Sequence, residues 1–268
     1  MRKFLLATLL FVVCVPAQRA AEPALTKAQM KNFLLTAKVI SAKHTSKGIT
    51  DPWRLTLSDG TTTHEAVFQT IDEHRTTYQY LNGRTEFNFV DSYKYNIAGY
   101  ELAELLGLGD LVPVHVERNW DGKVGSLSWV VPVKMDELDR RNKKIAVPEA
   151  NLTAWNNQMY KVRVFNELVY DTDSNLTNVL VTEDWKIWRV DFSRAFRLHK
   201  TLQGPENLVR CERALLEKLK TLSEAELTQR TKNLLTKPEV QGVMARRDKI
   251  VAAFQKLIAA KGESEVLY

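Results

Sequence analysis

The spacing of apolar residues changes near residue 135, and this change constrains the fold more than any other feature of the sequence. Before it, short alternating runs separated by turn sequences such as Ser58-Asp59-Gly60 are typical of antiparallel strands. We predict five strands there, at 38–41, 53–57, 65–71, 112–118 and 125–131, and one amphipathic helix at 91–106. After residue 135 the spacing is mainly helical, so we predict an α+β protein in two parts.

The N-terminal residues predict export. Arg2 and Lys3 precede an apolar run over 4–13, and Val15-Pro16-Ala17 offers small residues where a signal peptidase cleaves. An uncleaved anchor is the alternative, but the run is well short of the roughly 20 apolar residues that a spanning helix needs. Acylation of Cys14 is disfavoured because large residues precede it. We predict a signal peptide at 1–17 and a secreted or periplasmic protein with no membrane span after cleavage.

Composition, charge and histidine spacing argue against some classes of function. The chain of 268 residues is 44% hydrophobic and 26% charged, which suits a globular protein with a large core. The net charge of +6 falls to +4 when Arg2 and Lys3 leave with the signal peptide. The basic residues near 140–144 lack interleaved aromatic residues, so nucleic-acid binding is not predicted. The five histidines show no metal-ligand spacing, which argues against a zinc site.

One polar segment carries the chemistry. An apolar helix predicted at 151–170 leads into a loop with Asp173 and, five residues on, Asn178; a strand pair at 179–182 and 187–190 then delivers Asp191. Mg²⁺ takes one or two oxygen ligands from protein while phosphates and water supply the rest. We predict Asn178 and Asp191 as ligands of Mg²⁺ or Mn²⁺ and Asp173 as the residue that orients a hydroxyl acceptor. Asp171 is an alternative to Asp173, and a plain turn is the alternative for the whole segment.

This segment resembles the catalytic and metal loops of atypical kinases, namely phosphatidylinositol kinases, bacterial persister-toxin kinases and secretory-pathway kinases. Asp173-Ser-Asn-Leu-Thr-Asn178 is similar to their catalytic loop, and Val190-Asp191-Phe192-Ser193 to their metal loop. The helix before Leu106-Gly-Leu, with Val112-Pro113, resembles a region of the secretory-pathway kinases. The resemblance implies a two-lobed kinase-like fold with an N-lobe at 18–134, a hinge at 131–134 and a C-lobe at 135–268.

The resemblance also implies an activity, the transfer of the γ-phosphoryl group from ATP with Mg²⁺ or Mn²⁺ to a hydroxyl acceptor that is a protein, a lipid or a small molecule. The sequence departs from the family at the usual strand Lys and helix Glu, where Gln69 and Asn96 stand and a hydrogen bond would join them. Gly48 is the candidate for the turn that covers the phosphates. The candidates for a replacement cation are Lys47, Arg54, Lys94 and Arg163. A pseudokinase that binds nucleotide or regulates a partner is the main alternative, and adenylyl transfer is another.

Overall fold

The computed structural model describes residues 25–45, 52–80 and 83–268. The predicted signal peptide at 1–17 and Gly48 lie outside these residues. An antiparallel sheet with helices forms the N-terminal part, and the C-terminal part is mainly helical. The predicted α+β fold class is therefore confirmed.

The N-terminal part is built on a five-stranded antiparallel sheet. Its strands are β1 (Lys38–His44), β2 (Trp53–Ser58), β3 (Thr63–Gln69), β6 (His115–Trp120) and β7 (Lys123–Trp129). They lie in the order β1-β2-β3-β7-β6. Alternation along β2 and β3 buries Leu55, Leu57, Ala66 and Phe68 completely in the core. The residues between them therefore face the other side of the sheet, where the cavity described below lies.

Two helices pack on this sheet. The first, α1 (Lys27–Thr36), begins with a capping box, because Thr26 accepts a hydrogen bond from the Gln29 amide and Gln29 accepts one from the Thr26 amide. The second, α2 (Tyr93–Leu105), follows Ser92, whose hydroxyl accepts a hydrogen bond from the Lys94 amide. Gly107 follows with a φ of +73°, which a glycine adopts at no steric cost. The helix predicted at 91–106 is thus present.

A hairpin that sequence analysis did not assign joins β3 to α2. Its strands, β4 (Asp72–Gln79) and β5 (Thr85–Ser92), pair only with each other and form a separate two-stranded sheet. Most of the side chains along β4 are exposed and polar, so the alternation that marks a half-buried strand is weak. Along the chain, the hairpin lies between the strand that carries Gln69 and the helix that carries Asn96.

The C-terminal part begins directly after the large sheet. β8 (Met135–Asp136) pairs with β9 (Val179–Val181), and β9 pairs with β10 (Ile187–Arg189). The strand pair predicted at 179–182 and 187–190 is therefore present within one residue at each end.

The remaining elements of the C-terminal part are helical. They are α3 (Glu137–Asn142), α4 (Leu152–Val169), α5 (Arg213–Thr221), α6 (Glu224–Arg230), α7 (Lys237–Lys261) and α8 (Glu263–Val266). α4 and α7 pack together and bury Phe165, Leu168, Ile250 and Phe254 in the core. In the part of the chain that the structure describes, no helix is both long and apolar enough to cross a bilayer.

Candidate active site

A cavity of about 730 Å³ lies between the cavity-facing side of the large sheet and the C-terminal part. β2, β3 and β7 line one side of it, the segment 130–133 lines its edge, and Leu180, Val190 and Asp191 line the other side. Gln69 and Asn96 also line it. Three of the predicted site residues therefore face one space, although they come from widely separated positions in the sequence.

Asn96 connects both sides of the cavity through its side-chain amide. Its Nδ2 donates to Gln69 Oε1 at 2.6 Å, so the predicted hydrogen bond between the two residues is present. Its Oδ1 accepts from the Phe192 backbone amide at 2.6 Å. Asn96 and Phe192 are both buried, so the bond between them is shielded from water, whereas the bond to Gln69 is partly buried. One neutral side chain on α2 thus sets the distance between β3 and the residue after Asp191.

Asp191 lies two residues after the end of β10 and lines the cavity. Its backbone has a φ of +61°, a left-handed conformation that non-glycine residues adopt at a cost and that is concentrated at functional sites. Its carboxylate accepts from the Ser193 amide at 3.3 Å, and its carbonyl accepts from the Arg189 guanidinium at 3.2 Å. Burial raises the pKa of the Asp191 carboxyl above its usual range. A nearby cation would favour the ionised form.

Asp173 and Asn178 lie on the loop before β9, and their own contacts hold that loop in shape. The Asp173 amide donates to the Asp171 carboxylate at 2.9 Å, and Asn178 Nδ2 donates to the Asp173 carbonyl at 3.1 Å. The Asn178 carbonyl accepts from the Val190 amide at 3.0 Å, which joins this loop to the residue before Asp191. Asn178 is buried, whereas the Asp173 side chain is 47% exposed. The cavity itself is lined by Asp191 and by neither of these two residues.

A fully buried ion pair lies beside this loop. The Arg189 guanidinium contacts the Asp171 carboxylate, and neither side chain is exposed by more than 1%. Arg189 also donates to Asn166 Oδ1 at 3.2 Å and to the Val190 carbonyl. Asp171 is therefore occupied by a structural contact, which favours Asp173 over Asp171 as the residue that meets an acceptor. Sequence analysis missed this role of Arg189, although a charged residue in the apolar strand Ile187–Arg189 signals a buried partner.

Comparisons with known proteins bear on the fold. No protein-family model and no curated protein matches the chain. Solved structures do match, among them the crystal structure of a Helicobacter pylori proinflammatory kinase, CtkA. It aligns with a TM-score of 0.53 at 10% sequence identity, over 85% of this chain and 98% of that chain. The fold is kinase-like. At this identity the likeness shows the fold alone, so any activity has to be argued from the site.

The candidate metal ligands of this fold are Asn178 and Asp191. No group of three or more His, Cys, Asp and Glu side chains among residues 25–45, 52–80 and 83–268 is arranged to hold a metal ion. Asn178 Oδ1 accepts no hydrogen bond from any of these residues, and Asp191 offers a carboxylate at the cavity. An amide oxygen and a carboxylate are what protein contributes to Mg²⁺ when phosphates supply the remaining ligands. Asp191 lines the cavity and Asn178 does not, so a metal held by both residues stays a prediction.

The structure also places three of the four candidate cations. Arg54 lines the cavity and pairs with Glu65 at 2.6 Å. Lys94 pairs instead with Asp72 at the base of the hairpin, and Arg163 lies over the Tyr160 ring. Lys47 lies outside the described residues, as does Gly48. Among the described candidates, Arg54 is the cation at the cavity.

Two further arginines hold the segment after Asp191 against the hairpin. Arg194 Nε donates to Asp91 Oδ2 at 2.7 Å, and Arg197 Nε donates to Glu86 Oε1 at 2.6 Å. Both guanidinium groups also lie 5.4 Å from the centre of the Phe89 ring. Since sequence analysis did not assign the hairpin, these partners were not predicted. The segment after Asp191 is therefore anchored from both sides, by Asn96 and by the hairpin.

Proposed function

We propose that the protein is an exported, ATP-dependent phosphotransferase that moves the γ-phosphoryl group to a hydroxyl acceptor. One observation carries the proposal: Asp191 faces a cavity between the two parts of a kinase-like fold, and hydrogen bonds tie its neighbours to α2 on one side and to the 173–178 loop on the other. Asn178 and Asp191 would hold Mg²⁺ or Mn²⁺ with the phosphates, and the metal would neutralise charge that develops on them.

The roles of the remaining residues follow from their positions. Asp173 is half exposed beside the metal loop and would accept a hydrogen bond from the acceptor hydroxyl. Gln69 and Asn96 would keep β3 and α2 at a constant separation, and Gly48 would contribute to the cover over the phosphates. Arg54 would supply positive charge to the nucleotide if its pair with Glu65 opens.

The second candidate function is that of a pseudokinase, an exported module that binds nucleotide without turnover. One observation favours it. The Gln69–Asn96 pair at the cavity is neutral, so it brings no positive charge to the phosphates where an ion pair would. Both candidates predict metal-dependent nucleotide binding, and only the first predicts phosphoryl transfer.

The test is to incubate the purified protein with γ-labelled ATP and either Mg²⁺ or Mn²⁺, and to measure both nucleotide binding and release or transfer of label. The control for Asp191→Asn is Asp110→Asn, because the Asp110 carboxylate is exposed and has no proposed role in the site. We expect Asp191→Asn to lower turnover at least about 100-fold, because a metal ligand is lost. Asp110→Asn should turn over ATP at the wild-type rate. Binding without turnover in wild type would indicate the pseudokinase. Absence of metal-dependent binding would exclude both functions.

A further inference from the structure

Arg194 contacts two different parts of the molecule. Its Nε donates to Asp91 on the hairpin at 2.7 Å, and its Nη1 lies 3.5 Å from Asp173 Oδ2. Its backbone carbonyl accepts from both the amide and the hydroxyl of Thr172, at 3.3 and 3.2 Å. The Arg194 side chain is 14% exposed, so these contacts are largely shielded from water. The residue therefore joins the hairpin to the loop that carries Asp173.

The other contacts of the Asp173 side chain come from within its own loop. Asp173 Oδ1 accepts from Asn175 Nδ2 at 3.2 Å, and Asn175 is exposed. A half-exposed carboxylate on a loop has several rotamers available, and a contact inside the loop does not orient it relative to the cavity. Among the described residues, Arg194 is the ion-pair partner that reaches this carboxylate from elsewhere in the fold.

The hairpin in turn holds Arg194 in place. Asp91 is buried and its Oδ1 has no hydrogen-bond partner among the described atoms, so its pairing with Arg194 is the contact that compensates its charge. The next residue, Ser92, donates its amide to the Ser193 carbonyl at 2.8 Å, and Arg197 Nη1 donates to the Val90 carbonyl at 2.6 Å. β5 is thus joined to the segment 193–197 by backbone and side-chain bonds together.

We propose that Arg194 is a positioning residue that orients the Asp173 carboxylate toward the acceptor, and that the β4–β5 hairpin supports it through Asp91. This inference rests on the proposed function, in which Asp173 meets the acceptor hydroxyl. The contact at 3.5 Å is electrostatic rather than a short hydrogen bond, so it orients the carboxylate and leaves its oxygens able to accept a hydrogen bond. The hairpin thereby becomes part of the acceptor side of the site.

The experiment compares steady-state turnover of ATP with Mg²⁺ in wild type, Arg194→Met, Arg194→Lys, Asp91→Asn and Asp173→Asn. Arg75→Met is the matched control, because Arg75 is an exposed arginine of the same hairpin that pairs with Glu73. We expect Arg194→Met to lower kcat about 10- to 100-fold and to leave KM for ATP within about two-fold, because a small misplacement of a reacting group costs rate rather than nucleotide binding. Arg194→Lys keeps the charge and is expected to recover about half of that loss on a logarithmic scale.

Asp91→Asn leaves Arg194 in the protein and loosens its support, so a smaller loss of kcat, about three- to ten-fold, is expected. If Arg194→Met does not fold, Asp91→Asn and Arg194→Lys carry the test by themselves. A rise of ten-fold or more in KM for ATP with unchanged kcat would show that Arg194 contacts the phosphates instead, and would overturn the proposal. Wild-type kinetics in all variants except Asp173→Asn would overturn it as well.

A second measurement keeps the inference separate from the proposed function. Hydrogen–deuterium exchange of the segment 171–178 is followed in the same variants without nucleotide, because loosened loops exchange faster. Faster exchange in Arg194→Met and Asp91→Asn, with Arg75→Met like wild type, supports the positioning role. If wild type shows no turnover, the proposed transferase activity fails, and unchanged exchange in both variants would then overturn the positioning role too.

Discussion

The two sides of the cavity hold their residues in place by different physical means. On the sheet side, made of β2, β3, β6, β7 and α2, two of the residues that line the cavity, Gln69 and Asn96, are neutral amides joined by a hydrogen bond. On the loop side, residues 171–197, arginines pair with buried carboxylates, as in the fully buried Asp171–Arg189 pair and in the pair of Arg194 with Asp91 of β5. The sheet side thus sets distances by hydrogen bonds, whereas the loop side orders its segments by charge.

A single ion pair between β3 and α2 would both fix the spacing of these elements and place charge at the cavity. Here different residues do these two things. Asn96 keeps β3, α2 and the segment after Asp191 at a constant spacing without placing any charge there. Positive charge at the cavity comes instead from Arg54, which is 45% exposed and already paired with Glu65. We infer that the Gln69–Asn96 contact is insensitive to salt because neither group is charged, and that binding of phosphates depends on how readily the Arg54–Glu65 pair opens.

The sharpest test of the loop side removes one partner of its most buried ion pair. Arg189→Met leaves the Asp171 carboxylate unpaired in the core, so the free energy of unfolding is expected to fall by about 3–5 kcal/mol. Denaturant unfolding followed by circular dichroism measures it. The matched control is Arg213→Met, which breaks the exposed pair with Glu263 and should cost less than about 1 kcal/mol. Equal losses in the two variants would contradict the view that buried charge orders the loop side.

The sheet side is tested next through its buried histidine. Burial lowers the pKa of His115 from 6.5 to about 4, and its Nδ1 is hydrogen-bonded to the Pro113 carbonyl. Between these pH values the unfolded chain binds a proton on this imidazole and the folded chain does not. Stability is therefore lost as pH falls from about 6.5 to 4, by up to about 3 kcal/mol from this residue.

His115→Gln removes the titrating group, so the measurement is the difference in unfolding free energy between wild type and variant across that pH range. As the pH falls below 6.5, the unfolding free energy of wild type should decrease more than that of the variant. A pH-independent difference would mean that His115 titrates alike in the folded and unfolded states, and the sheet side would not be the neutral region described above.

The alternating and helical patterns of the sequence predicted the fold class, the five-stranded sheet, α2 and the β9–β10 pair. An element that buries one face has apolar residues at a regular spacing, and this spacing can be recognised in the sequence. The hairpin was missed for the same reason. β4 has the sequence Asp-Glu-His-Arg-Thr-Thr-Tyr-Gln and buries almost none of its side chains, so it shows no regular spacing of apolar residues. Its stability comes from pairing with β5 and from Arg194 and Arg197, which lie more than 100 residues away from their partners.

The candidate site could be predicted in part. Local motif spacing pointed to Asp173, Asn178 and Asp191, and their roles in binding and transfer stay predictions. The residues that support them could not be inferred from spacing, because Asp171 and Arg189 are 18 positions apart with a turn between them. A charged residue within an apolar strand is the general signal that such a partner exists, and it does not name the partner.

A smaller effect separates the two hydrogen bonds of Asn96. Asn96→Leu removes both bonds and leaves the buried Phe192 amide without its acceptor, so a loss of about 1–3 kcal/mol is expected. Gln69→Leu removes the bond between β3 and α2 and keeps the one to Phe192, so it should cost nearer to 1 kcal/mol. Denaturant unfolding of both variants is the measurement. If Gln69→Leu proved the more costly, the bond to Phe192 would not be the main contribution of Asn96 to stability.

The smallest effect concerns the packing of α2 against the segment after Asp191. A Cβ on Gly99 would lie 2.9 Å from Cδ2 of Phe192, whose ring is fully buried against Phe165 and beneath the Arg189 guanidinium. Gly99→Ala gains about 1 kcal/mol of helix propensity and loses about 1–3 kcal/mol to the clash, so a net loss near 1 kcal/mol is expected. The double variant Gly99→Ala/Phe192→Leu frees that space, and the cost of Gly99→Ala, measured by unfolding, should become smaller in the Phe192→Leu background. Additive losses would show that the helix and the segment after Asp191 are not in tight contact there, and the sheet side would then hold Asp191 through Asn96 alone.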